Sequence, residues 1–180
     1  MNAAVGACLV AMVCNLTIGK PRYAAYEEVM TKALASAVDL RDRAVQLADE
    51  DAAAFGAVAA AYHMPKATEA EIAARTEAIQ GALAGAATVP LRIAAVATEI
   101  IDAAGRILEG ANVNVISDVG VAAASARAAL DGAMLNVEVN LAAMNDENAR
   151  IAIRDELGTY AWALAAADET VAAVRERISR

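Results

Sequence analysis

Uncharged residues run from Ala3 to Gly19, and the run ends on Lys20, Pro21 and Arg22. This pattern predicts a first helix from near the N-terminus to Ile18, closed by Gly19 and Pro21. A second helix is expected from about Tyr23 to about Tyr62, because Val29, Ala33, Leu40, Ala44 and Leu47 recur at helical spacing and Phe55 and Val58 extend the stripe. Met64-Pro65 ends it. Thr68-Glu69-Ala70-Glu71 reads as a capping box opening a third helix to about Leu83. Thr88-Val89-Pro90 reads as a new start, since proline is tolerated in a first turn, and predicts a fourth helix to Leu108. The segment from Glu109 to Ile116 contains Gly110, Asn112 and Asn114 and reads as a loop. Ser117-Asp118 is the expected cap of a fifth helix carrying Val121, Leu130, Leu135, Val139 and Leu141. Asn145-Asp146-Glu147 marks a break before a last helix from about Ala149 to the C-terminus. No internal repeat or linker divides residues 1–180, so the expectation is one all-α domain, a bundle of about five to six helices.

Composition sharpens this picture. Hydrophobic residues make up 59% of the chain and aromatics only 3%, so the core must be built from Ala, Leu, Val, Ile and Met. Alanine is the best intrinsic helix former, and its small side chain lets helices approach closely. The Ala3–Gly19 run is short for a membrane span, lacks a basic start and contains Asn15 and Thr17, so it reads as a core helix of a soluble, cytoplasmic protein. Apolar surface on several sides of each helix implies a further interface, and a homodimer is the default. The net charge of −8 argues against nucleic acid, whose phosphates need clustered Lys and Arg. Cys8 and Cys14 sit on one helix roughly 9 Å apart at 1.5 Å per residue, too far to bridge, and read as reduced buried thiols.

Few residues can do chemistry. His63 stands alone, so neither a structural metal nor a Ser-His-Asp set is expected. No glycine-rich loop follows a strand. Lys20 and Arg22 close an apolar helix, an arrangement that suits an anionic small molecule. Asp49-Glu50-Asp51 lies within the long second helix, where acids usually form a solvated face. Asp51, however, is four residues before Phe55 and seven before Val58 and so shares their face, which makes it a candidate general base or proton carrier. Asn112, Asn114, Ser117 and Asp118 crowd one stretch, where turn and cap roles compete with ligand binding. Asn136 and Asn140 are four apart amid Leu135, Val137, Val139 and Leu141, and buried amides of this kind require partners.

Several of these pieces occur together elsewhere. Met12-Val13-Cys14-Asn15-Leu16-Thr17-Ile18-Gly19-Lys20 with Tyr23, Asp49-Glu50-Asp51-Ala52-Ala53-Ala54-Phe55, Pro65-Lys66, Thr88-Val89-Pro90-Leu91, Asn112-Val113-Asn114-Val115-Ile116-Ser117-Asp118 and Asn136-Val137-Glu138-Val139-Asn140-Leu141 follow one another in family order. In these the chain resembles the cyclodeaminase/cyclohydrolase family, which includes the stand-alone methenyltetrahydrofolate cyclohydrolases and the cyclodeaminase half of formiminotransferase-cyclodeaminase. Family members usually carry a Pro-Gly-Gly-Gly turn ahead of the first core helix, whereas this chain starts at Met1-Asn2-Ala3. The resemblance implies a dimeric helical bundle that takes a tetrahydrofolate derivative as substrate and needs no cofactor. It implies Asp51 as the proton donor or acceptor. The chemistry of such a substrate adds Lys20 as a second catalytic residue, to polarise the developing oxyanion or hold the folate, and Tyr23, Asn112, Asn114, Ser117, Asp118, Asn136 and Asn140 as expected substrate-binding residues. The expected reaction is hydrolysis of 5,10-methenyltetrahydrofolate. The alternatives are cyclodeamination of formiminotetrahydrofolate and, in another class, a non-catalytic folate-binding or scaffold protein.

Overall fold

The computed structural model describes residues 1–180 as an all-α bundle without strands. Its helices are α1 (Asn2–Asn15), α2 (Glu27–Tyr62), α3 (Glu69–Ile107), α4 (Ile116–Ala143), α5 (Glu147–Gly158) and α6 (Trp162–Ile178). Short 3₁₀ segments, Pro21–Tyr26 and Val113–Val115, precede α2 and α4. One continuous core joins Val10 and Val13 of α1, Met30 and Leu40 of α2, Ile100 and Ile107 of α3, and Val119, Leu130 and Val137 of α4. Alanines at the crossings are fully enclosed, among them Ala7, Ala94, Ala97, Ala122 and Ala126, so backbones meet closely where larger side chains would hold them apart.

Several boundaries differ from the pattern. The third and fourth expected helices are one 39-residue helix, with Pro90 buried inside it. Proline within a helix removes one hydrogen bond, here the one Ala86 O would accept, and Asn140 Nδ2 of α4 donates to that carbonyl at 3.1 Å instead. A packed neighbour thus supplies the missing donor, which local sequence could not reveal. The last helix is two, broken at Thr159–Ala161. Ser117 and Asp118 do not cap α4: Val115 stands at the cap position, and Asp118 lies in the first turn, where its charge favours the helix dipole. The first helix also ends earlier, at Asn15, and Gly19 takes φ +74° to turn the chain. Thr68 and Glu71 do form the expected capping box.

Several expected core positions lie outside. Cys8 is exposed, while Cys14 is buried and its thiol is pushed up to about 11 by burial, with a backbone hydrogen bond opposing. Val29, Phe55, Val121, Leu135 and Val139 are also exposed. On α1 the exposed positions form a stripe, Met1, Val5, Cys8, Met12 and Leu16, along one side of an otherwise enclosed helix. Two segments, α3 and Val113–Ala143, are long and apolar enough to cross a bilayer; 56% of the apolar 18-residue stretch of α3 is packed inside the bundle.

Candidate active site

The residues singled out from the sequence gather in two places. The first is a groove between α2 and α4. Asp51 and Asn136 stand at its middle and line both cavities within it. One cavity, of about 370 Å³, is walled by Asn2, Leu47, Ile93, Val96, Gly132 and Ala133. The other, of about 380 Å³, is walled by Phe55, Val58, Tyr62, Leu83, Val139 and Asn140. Phe55 and Val58 do share a face with Asp51, but that face looks into an open groove and not into the core: Phe55 is 74% exposed. The acids of the triplet separate by helical phase. Glu50 is ion-paired with Arg92, and Asp49 is exposed and lines neither cavity. Asp51 is half-buried and makes no ion pair or side-chain hydrogen bond, so its carboxylate is free to meet a ligand.

The two amides of α4 part company. Asn136 is exposed beside Asp51. Asn140 spends its amide hydrogens on Ala86 O at 3.1 Å and Asn136 O at 2.9 Å. Leaving a buried carbonyl without a donor costs about 1–3 kcal/mol. Asn140→Ala is therefore expected to destabilise the fold by that amount in chemical denaturation. Pro90→Ala, which restores a backbone N–H opposite Ala86 O, is expected to remove most of the penalty in the double variant.

The second place is the corner where α1, the first 3₁₀ segment and the loop after α3 meet. Asn112 is 3% exposed. Its Nδ2 donates to Leu16 O at 2.8 Å and its backbone N–H to Thr17 Oγ1 at 3.2 Å. Its Oδ1 accepts from Asn114 N at 3.1 Å and from the Tyr23 hydroxyl at 3.4 Å. Tyr23 also accepts from Val113 N at 3.1 Å. Asn112 is thus the knot that holds Tyr23 and the end of α1 together, and it lies behind the surface. Thr17, fully enclosed and donating to Val13 O at 2.7 Å, is the partner the sequence did not single out. A hydroxyl at the end of an apolar helix was the available signal. Lys20, exposed and without an ion pair, projects from this corner; Gly19 N donates to Glu27 Oε2 at 3.1 Å and fixes the turn before it. Arg22 lies over the Tyr23 ring, 5.6 Å from its centroid. Asn114 and Ser117 are exposed and Asp118 half-buried on the same loop and first turn of α4. Ser117 also edges a cavity of about 530 Å³ between α4 and α6.

A second tyrosine anchors the same corner. Tyr26 donates to Glu109 Oε1 at 3.2 Å. The charge of Glu109 raises the Tyr26 pKa, burial and the hydrogen bond add to it, and Arg177 opposes it. Its ring lies against Gly110, where a Cβ would come within 2.3 Å of it.

These two places are far apart within one chain. From Glu27, which holds the Lys20 turn, to Asp51, α2 rises about 36 Å at 1.5 Å per residue. A groove with one free carboxylate thus lies toward one end of this all-α bundle, and two exposed cations, Lys20 and Arg22, lie on a corner at the other. Residues 1–159 match the family model described as formiminotransferase-cyclodeaminase, and the chain belongs to that family. It is 46% identical over 146 residues to the methenyltetrahydrofolate cyclohydrolase of Methylorubrum extorquens, an alignment covering 81% of this chain and 70% of that protein. It is 32% identical over 145 residues to the formimidoyltransferase-cyclodeaminase of Rattus norvegicus, covering 81% of this chain but 27% of that longer protein. The crystal structure of formiminotetrahydrofolate cyclodeaminase from Thermotoga maritima superposes with a TM-score of 0.81 at 28% identity, over 99% of this chain and 83% of the other.

Proposed function

We propose that this chain hydrolyses 5,10-methenyltetrahydrofolate to 10-formyltetrahydrofolate, with Asp51 as the proton-transfer group. The observation that carries this reading is the unpaired Asp51 carboxylate at the join of two largely apolar cavities. The substrate carbon sits between two nitrogens in a cationic amidinium and is already electrophilic. Water adds to it while Asp51 accepts one water proton. As the carbon–N5 bond breaks, Asp51 returns that proton to N5 and the hydroxyl of the intermediate releases its own proton to solvent to become the formyl carbonyl, so that the cation yields a neutral product and one proton. The anion also favours the cationic substrate in a groove of low polarity. No step calls on a cofactor. Asn136, beside Asp51, is placed to hold a polar edge of the substrate or the attacking water.

Lys20 and Tyr23 cannot reach a substrate held at Asp51 in the same chain. A second copy related by a two-fold axis resolves this. The exposed stripe of α1 runs between the two places, from Met1 near the Asp51 groove to Leu16 beside the Asn112 knot. Two such stripes packed antiparallel would cover Val5, Met12 and Leu16 on both copies and bring the Lys20 corner of one toward the Asp51 groove of the other. In this reading the dimer carries two composite sites.

Decay of methenyltetrahydrofolate absorbance on adding the protein tests the reaction, with formiminotetrahydrofolate as a competing substrate. Turnover of methenyltetrahydrofolate supports the hydrolase; ammonia release from the formimino compound without it supports the cyclodeaminase; binding without either supports the non-catalytic reading. Lys20→Ala is expected to weaken substrate binding about ten- to hundredfold, the worth of a charge-assisted contact, with the melting temperature unchanged because Lys20 lies outside the core.

A further inference from the structure

We propose that Arg177 of α6 is a positioning residue for the Lys20–Tyr23 corner. The inference rests on the reading that this corner contacts substrate. Helix α6 begins at Trp162, beyond the residues the family model matches, yet it reaches back to the loop on which the corner is built. Arg177 Nη1 donates to Leu108 O at 2.6 Å and to Glu109 O at 3.3 Å. Both carbonyls lie just past the end of α3, where helix carbonyls lack intrahelical donors and the dipole favours a cation.

That loop is the seat of the whole 3₁₀ segment. Tyr26, its last residue, rests on Glu109 through its hydroxyl and on Gly110 through its ring. Tyr23, three residues earlier, rests on Asn112 and Val113. Lys20 immediately precedes the segment, and its carbonyl accepts from Tyr23 N at 2.9 Å. The path from Arg177 to Lys20 therefore passes through two tyrosines docked on residues 109–113 and then the turn closed by Tyr23 N and Lys20 O. Gly110 leaves no slack, because the Tyr26 ring occupies the space of a side chain. Fixing the carbonyls at 108 and 109 fixes the level at which Tyr26 sits, and with it the direction in which Lys20 leaves the fold.

The test measures KM and kcat for methenyltetrahydrofolate, with the melting temperature, for Arg177→Gln, Arg177→Lys, Tyr26→Phe and the Tyr26→Phe/Arg177→Gln double variant. The expected result is a KM raised about tenfold in Arg177→Gln with kcat unchanged, since Asp51 lies at the far groove. Lysine, which also donates to carbonyls, restores most of it. Tyr26→Phe reproduces the rise, and the double variant shows no further one, because both act along one path. An unchanged KM in Arg177→Gln, or a double variant whose effects multiply, overturns the proposal. If Arg177→Gln fails to fold, Tyr26→Phe, which removes one partly exposed hydroxyl, decides it in the same way. Lys20→Ala run in parallel separates the two levels: if it raises KM while the Arg177 and Tyr26 variants do not, only the positioning role falls. If none of them raises KM, the corner itself is not part of the site.

Discussion

Asp51→Asn is expected to lose about two to four orders of magnitude in turnover, the usual contribution of a positioned acid–base group, while the fold survives. The amide nearly matches the carboxylate in shape and still hydrogen bonds, but it cannot accept a proton at neutral pH. Stability should change little, because Asp51 makes no ion pair and is only half-buried, so no partner is stranded by its neutralisation. The informative control is Asp49→Asn. It removes the same charge two residues away, on a side of α2 that lines neither cavity. Rates are read from the loss of methenyltetrahydrofolate absorbance, and folding from the helical circular dichroism signal. Equal losses in the two variants would point to a general effect of negative charge near a cationic substrate, and full activity in Asp51→Asn would remove this carboxylate from the chemistry.

The helical class was legible because it rests on local signals: 3.6-residue spacing, alanine content and a capping box all report on the chain within a few residues of themselves. What the pattern misread was settled by contacts between distant segments. Pro90 looks like a helix start until Asn140, fifty residues on, is seen donating to Ala86 O. Phe55 and Val139 look like core until the groove between α2 and α4 is seen to leave them open, and an apolar stripe has the same spacing whether it faces a core, a ligand groove or another protein molecule. The candidate site was legible in the same uneven way. The phase argument placed Asp51 and Phe55 on one face, and the structure shows them lining one cavity. Helical phase carries no information on how far the Lys20 corner stands from Asp51, because phase repeats with every turn while α2 rises about 36 Å from Glu27, which holds the Lys20 turn, to Asp51. The sequence marks Asn112 only as one of four polar residues crowding a turn-prone stretch, because its partners Leu16, Thr17 and Tyr23 lie some ninety residues earlier.

That separation yields the second large effect. Mixing the Asp51→Asn and Lys20→Ala proteins, each impaired alone, is expected to restore about one quarter of the wild-type kcat/KM. Under random exchange half of the dimers are mixed, and in a mixed dimer of composite sites one site carries both lesions and the other none. Sites built within single chains would give no recovery, since every chain keeps its own lesion. The assay is run at low substrate concentration, where the binding defect of Lys20→Ala is fully expressed, after unfolding and refolding the two proteins together so that subunits exchange. A charge placed in the stripe supplies the converse. Met12→Asp puts a carboxylate where the two copies of α1 would meet; light scattering is expected to show a monomer, and activity should fall with dimer content, because each monomer holds half of each site. Recovery near one quarter in the mixture, together with its absence when Met12→Asp is added to both chains, would identify the α1 stripe as the contact that completes the site. A monomeric wild-type protein with full activity would instead require that Asp51 work without the Lys20 corner.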